Sequence, residues 1–90
     1  MEFSWDETKR ERVLAERGID FLLLARTLFD GRTILTVPTY GPGEDRFISV
    51  GPVEGKLFTM VWTSRDGGVR IITARRARNG EEKQYRYLLN

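Results

Sequence analysis

Apolar and polar residues follow two different periods in this chain, and the change falls near residue 31. Before it, Glu2 to Trp5 alternates and is expected to form a short opening strand. Asp6 to Arg17 is densely charged, with Trp5, Val13 and Leu14 as its few apolar contacts, and predicts a helix. Asp6 caps that helix or sits in its first turn, where negative charge is favoured. Asp6 with Arg10, and Arg12 with Glu16, have the i,i+4 spacing of helical ion pairs. Gly18 ends the helix as a left-handed cap. Asp20 then caps a second helix, Phe21 to Phe29, whose apolar positions Phe21, Leu24, Ala25 and Leu28 recur at i, i+3, i+4 and i+7.

Beyond Gly31 the period becomes two. Thr33 to Val37, Asp45 to Val53, Lys56 to Arg65 and Val69 to Arg75 read as four strands. Residues 38–44 form a loop rich in Gly and Pro, and Pro52 is expected to disturb the end of its strand. Glu54-Gly55 and the Asp66-Gly67-Gly68 run are hairpin turn signals. Glu81 to Leu89 predicts a closing helix. The expected fold is α+β: two N-terminal helices, a four-stranded antiparallel meander and a C-terminal helix, in one domain over residues 1–90.

Strand parity carries the candidate chemistry. A two-residue turn at Asp66-Gly67 or Gly67-Gly68 places odd positions of one strand on the face of even positions of the next. Arg65 and Thr63 then share a face with Arg70, and a Glu54-Gly55 turn sets Arg46 opposite Thr63. Ile48, Val50, Val61 and Ile72 continue that face. Converging guanidiniums hold phosphate by charge-assisted bidentate bonds; pairing with Asp45, Asp66 or first-helix carboxylates is the alternative of equal weight. The opposite face carries Phe47, Phe58, Met60, Trp62, Val69 and Ile71, and is expected to remain partly bare for a partner.

Composition narrows the chemistry. The 90 residues include no Cys and no His. Disulfides, thiolate nucleophiles, imidazole bases and His- or Cys-ligated metals are therefore excluded. No metal-ligand cluster stands out, and no cofactor is expected. Net charge runs from −2 over residues 1–30, through zero, to +4 over residues 65–90, which suits a phosphate-bearing partner as well as a solvated basic helix. The longest apolar run, Phe21 to Ala25, is far short of a membrane helix, and the acidic, aromatic first residues do not read as a signal peptide. A cytoplasmic protein without a membrane partner is expected.

The segments Phe3 to Lys9 (FSWDETK), Arg17 to Phe21 (RGIDF), Glu44 to Gly51 (EDRFISVG) and Thr63 to Ala77 (TSRDGGVRIITARRA), followed by Glu81 and Tyr85, resemble the BrnT family. The resemblance covers nearly the whole chain in order and spacing. It implies a type II toxin–antitoxin ribonuclease with a fold similar to RelE-type microbial ribonucleases. It also implies a cognate ribbon-helix-helix antitoxin, contact with DNA only through that antitoxin, and a homodimer or a toxin–antitoxin heterotetramer. The family pattern has Asn and then Lys-His-Gly where this chain has Val13, Glu16, Arg17 and Gly18, which implies weakened activity.

A metal-independent endoribonuclease needs in-line attack of a ribose 2′-OH, stabilisation of the crowded phosphate, and proton transfer. Arg65, Arg70 and Arg75 are the candidates for the phosphate, although regular alternation puts Arg75 on the face opposite Arg70 unless the strand bulges. Glu81, Tyr85 or Lys9 is the candidate for proton transfer, and Lys9, Arg46 and Arg76 are candidates for RNA binding. Each also has a plain structural reading, as a solvated helix residue, a packing ring or a helix-end acid. Two rival functions fit the same residues. A non-catalytic RNA- or partner-binding module would tolerate loss of Glu81 and Tyr85; a purely structural partner would not bind RNA.

Overall fold

The computed structural model describes residues 2–31, 34–39 and 45–89. The elements run β1 (Phe3–Trp5), α1 (Glu7–Arg17), α2 (Phe21–Leu28), β2 (Leu35–Thr39), β3 (Arg46–Val53), β4 (Lys56–Arg65), β5 (Gly68–Arg76) and α3 (Asn79–Leu89). They build one five-stranded sheet in the order β1-β5-β4-β3-β2. The sheet has five strands and not the expected four: β2 to β5 pair antiparallel in sequence order, and β1 joins β5 in parallel. Thr33, expected to open β2, and most of the Gly/Pro-rich loop, residues 40–44, lie outside the described residues. Among the described residues no helix is long and apolar enough to cross a membrane.

Local signals fix the ends of the elements. Asp6 is the N-cap of α1, accepting from the Lys9 amide at 3.2 Å, and Gly18 closes the helix with φ +69°. Asp20 caps α2 by accepting from the Leu22 and Leu23 amides. Arg10 pairs with Glu7 at 2.7 Å and Asp20 at 2.9 Å instead of the expected Asp6, whose carboxylate is committed to its cap. Both hairpin turns carry positive φ at both central residues: 52° and 79° at Glu54-Gly55, 52° and 77° at Asp66-Gly67. That is the twist a two-residue turn needs to match its strands, and glycine accepts it without a Cβ penalty.

Helices α1 and α2 pack on the face formed by Met60, Val69, Ile71 and Ala74, where Phe21, Leu24 and Leu28 complete the buried core. This corrects the expected bare apolar face. The Phe58, Met60, Trp62, Val69 and Ile71 side is the main core, and α3 lies on the other side, over β3 and β2. Hydropathy on both faces of a strand cannot say which face two helices will choose. Burial of the α2 stripe, about 1.5–3 kcal/mol per large side chain, decides it.

Pro52 stays paired with Leu57, so β3 is regular where a disturbance is expected. The irregularity lies in β5. Val61 pairs with Thr73 and Trp62 with Ile71, leaving Ile72 as an extra residue in a β-bulge.

Gly68 carries the β1–β5 junction. A Cβ there would stand 2.7 Å from the Glu2 carbonyl oxygen, which accepts the Val69 amide at 2.9 Å. Gly68→Ala is expected to push β1 off the sheet edge at a cost of about 1–3 kcal/mol. A fall in the urea midpoint would register it; an unchanged midpoint would refute the tight contact.

Candidate functional site

The bulge at Ile72 determines which arginines share a face. Thr63 pairs with Arg70 and Arg65 with Gly68 before it, while Thr59 pairs with Arg75 and Val61 with Thr73 after it. Thr59, Val61, Thr63 and Arg65 alternate regularly along β4 and point to one side. Without the bulge Arg75 would face the core; with it, Arg70, Thr73 and Arg75 all join the α3 side of the sheet.

Three elements deliver cations to one end of this face. Lys9 from α1, Arg65 from the end of β4 and Arg70 from β5 line a cleft of about 190 Å³, with Asp6, Ile71 and Ile72. Arg65 and Arg70 also line the adjoining groove against Glu2, Phe3 and Ser4. The guanidinium of Arg70 makes no ion pair or hydrogen bond among the described residues, so its fork is available to an anion. Arg46 starts β3 beside Thr63, whose hydroxyl donates to the Asp45 carbonyl; it is exposed at the margin of the same face.

Arg75 and Glu81 are brought together as partners of each other. Arg75 Nη1 donates to Glu81 Oε1 at 2.6 Å and Nη2 to Oε2 at 2.8 Å, with both side chains less than one fifth exposed. Oε1 also accepts from the Thr59 hydroxyl and the Arg78 amide, each at 2.9 Å. The bond from Arg75 outweighs burial and, with Arg78 and Thr59, holds the Glu81 carboxyl down at about 2. Glu81 in turn raises Arg75. A carboxylate held that low is a poor proton acceptor near neutral pH, and a guanidinium saturated by a bidentate carboxylate has little left for a phosphate. The pair clasps α3 to β4 and β5.

Tyr85 lies half-buried one turn beyond Glu81 on α3. Arg76 is not with the others. It pairs with Phe58 across β4, places its guanidinium 5.4 Å from that ring's centre, and belongs to the helix-covered side. Of the sequence-predicted residues, the fold therefore gathers Lys9, Arg65 and Arg70, leaves Arg46 at their edge, engages Arg75 with Glu81, and sets Arg76 apart.

Two contributors escape sequence reasoning. Thr59 serves Glu81, and nothing in Leu57 to Val61 marks it, because its partner comes from a helix more than twenty residues later. Arg17 reaches β5, where its Nη1 donates to the Ala74 carbonyl at 2.9 Å. Its departure from the family pattern is the only sequence signal for it. Among the described residues no group of three or more Asp and Glu could hold a metal ion.

No curated protein matches the chain in sequence. A family model described as the ribonuclease toxin, BrnT, of type II toxin–antitoxin systems matches residues 5–81, most of the chain and every residue of the cleft named above apart from Glu2, Phe3 and Ser4 on its outer groove. The chain belongs to that family. Membership implies an RNA substrate and an antitoxin partner.

Proposed function

We propose that this BrnT-family toxin cleaves RNA at the cleft lined by Lys9, Arg65 and Arg70, without a metal ion. One observation carries the reading: three cations from three separate elements converge there, and Arg70 makes no ion pair or hydrogen bond among the described residues. A ribose 2′-OH attacks the adjacent phosphorus in line, the bond to the 5′-oxygen breaks, and a 2′,3′-cyclic phosphate and a 5′-hydroxyl remain. Arg65 and Arg70 bind the non-bridging oxygens, where negative charge grows as the phosphorus becomes five-coordinate. The charged Lys9 amine supplies a proton donor for the departing 5′-oxygen, and the 2′-OH proton passes to solvent. Without an imidazole, such an enzyme relies on positioning and electrostatics and turns over slowly.

Arg75 and Glu81 act in this scheme as the seat of α3, and Tyr85 as a residue of that helix. Arg46 steers the strand at the margin. We further take the fold to be of the RelE-like microbial ribonuclease type and the antitoxin to be a ribbon-helix-helix protein.

The test is cleavage of a structured RNA by the purified chain in excess EDTA, with a second substrate carrying 2′-deoxyribose at the mapped cut. The expected result is EDTA-resistant cutting that leaves cyclic phosphate ends and spares the deoxy position. Cutting of the deoxy substrate would overturn the mechanism. Binding without cutting would assign the chain to the non-catalytic class.

A further inference from the structure

The open sheet face does not end at the cleft. Strand β1 stops opposite Ile71, so the second half of β5 has no strand partner on that side. Helix α1 takes its place there. Lys9, Val13 and Arg17 recur at i, i+4 and i+8 on one stripe: Val13 enters the core, Lys9 lines the cleft, and Arg17 reaches the Ala74 carbonyl. Arg17 Nη1 also stands 3.5 Å from the Thr73 hydroxyl, which the bulge has turned onto the arginine face.

This contact pins the guanidinium at the rim while leaving Nε and Nη2 without protein partners among the described residues. No carboxylate pairs with Arg17 among those residues, although the side chain is exposed. From Arg70 to Ala74 the strand rises about 13 Å, and from Lys9 to Arg17 the helix rises about 12 Å. A single phosphate held between Arg65 and Arg70 is too far away to touch a guanidinium fixed at Ala74. Beyond Thr73, Glu81 on α3 is already neutralised by Arg75.

We propose that Arg17 and Thr73 form a second phosphate-binding position, so that an RNA single strand runs from the Lys9–Arg65–Arg70 cleft along the free half of β5 towards α3. The proposal rests on the reading of the cleft given above. It makes Arg17 a strand-positioning residue. Its fork gives two donors to a phosphate, and the Thr73 hydroxyl gives one.

Binding of labelled 2′-O-methyl oligouridylates, which cannot be cut, tests it. An eight-nucleotide strand spans both positions and a dinucleotide only one. Arg17→Gln is expected to weaken the longer strand about fivefold to tenfold, as loss of a charge-assisted contact does, and to leave the dinucleotide unchanged. Its salt slope on the longer strand falls by about 0.7, one phosphate's worth for single-stranded nucleic acid. Arg17→Lys restores most of the slope, and Thr73→Val, which keeps every backbone contact, weakens only the longer strand.

Unchanged affinity of Arg17→Gln for the eight-nucleotide strand overturns the proposal. So does an equal loss on both lengths, which would mark Arg17 as a support for the cleft acting through Ala74. If the unaltered protein binds neither strand, the cleft itself has been misread; if it binds both and Arg17→Gln does too, only the second position fails.

Discussion

Alanine at Arg65 and Arg70 together is expected to lower the rate of RNA cleavage by about 10²–10³-fold, the cost of removing preorganised donors from a site of developing negative charge. The fold should survive. Both side chains lie on the sheet face opposite the main core, and Arg70 makes no ion pair or hydrogen bond among the described residues. Arg70→Lys separates charge from geometry. It keeps a cation but loses the planar fork, so an intermediate loss is expected. The measurement is single-turnover cleavage in EDTA, with circular dichroism and melting temperature matched to the unaltered chain. Equal cutting by the double variant would place the activity elsewhere.

Glu81→Gln has the largest expected effect on stability. The carboxyl is held at about 2, against an ordinary value of 4.5, chiefly by Arg75. Each unit of such a shift is worth about 1.4 kcal/mol, so the clasp contributes about 3 kcal/mol. That is a large part of the total stability of a small domain. The sign follows from the lowered value. The contribution is complete above about pH 4.5 and disappears as the pH falls towards 2. Urea unfolding of both proteins at pH 7 and near pH 2 checks this. The gap is expected at pH 7 and should close in acid; a gap of the same size at both values would show that Glu81 acts by packing alone. Replacing both partners, Arg75→Met with Glu81→Leu, should cost less than either single change, because no unpaired charge is then left behind.

These two expectations also show what the sequence makes legible. The bounds of β4 are readable because Glu54-Gly55 and Asp66-Gly67 are turn dipeptides of a known handedness, and each fixes a register. From that register the common face of Thr63 and Arg70 follows without any structure. The caps at Asp6, Gly18 and Asp20 are readable for the same local reason.

The bulge is not. Arg70-Ile-Ile-Thr-Ala is a β-branched run that suits a regular strand equally well, and only pairing with β4 makes Ile72 the extra residue. Alternation therefore misplaces Arg75. The three residues of β1 are too few to declare a parallel partner at the far end of the chain. The partnership of Arg75 with Glu81 depends on where α3 docks, and the apolar stripe shared by both sheet faces hides that choice.

The parallel β1 has a consequence for how the protein comes into being. Phe3 pairs with Val69, so β1, made before β2 to β5, cannot dock until β5 exists. Lys9 follows directly behind it, while Arg65 and Arg70 belong to the final third of the chain. Closing so long a loop is entropically costly and slow compared with forming the local hairpins. A nascent chain whose β5 is not yet made thus holds Lys9 but no complete cleft. If RNA is cut at this cleft, as proposed, no cutting is expected there before β5 has been translated, an interval in which an antitoxin can meet an unfinished toxin.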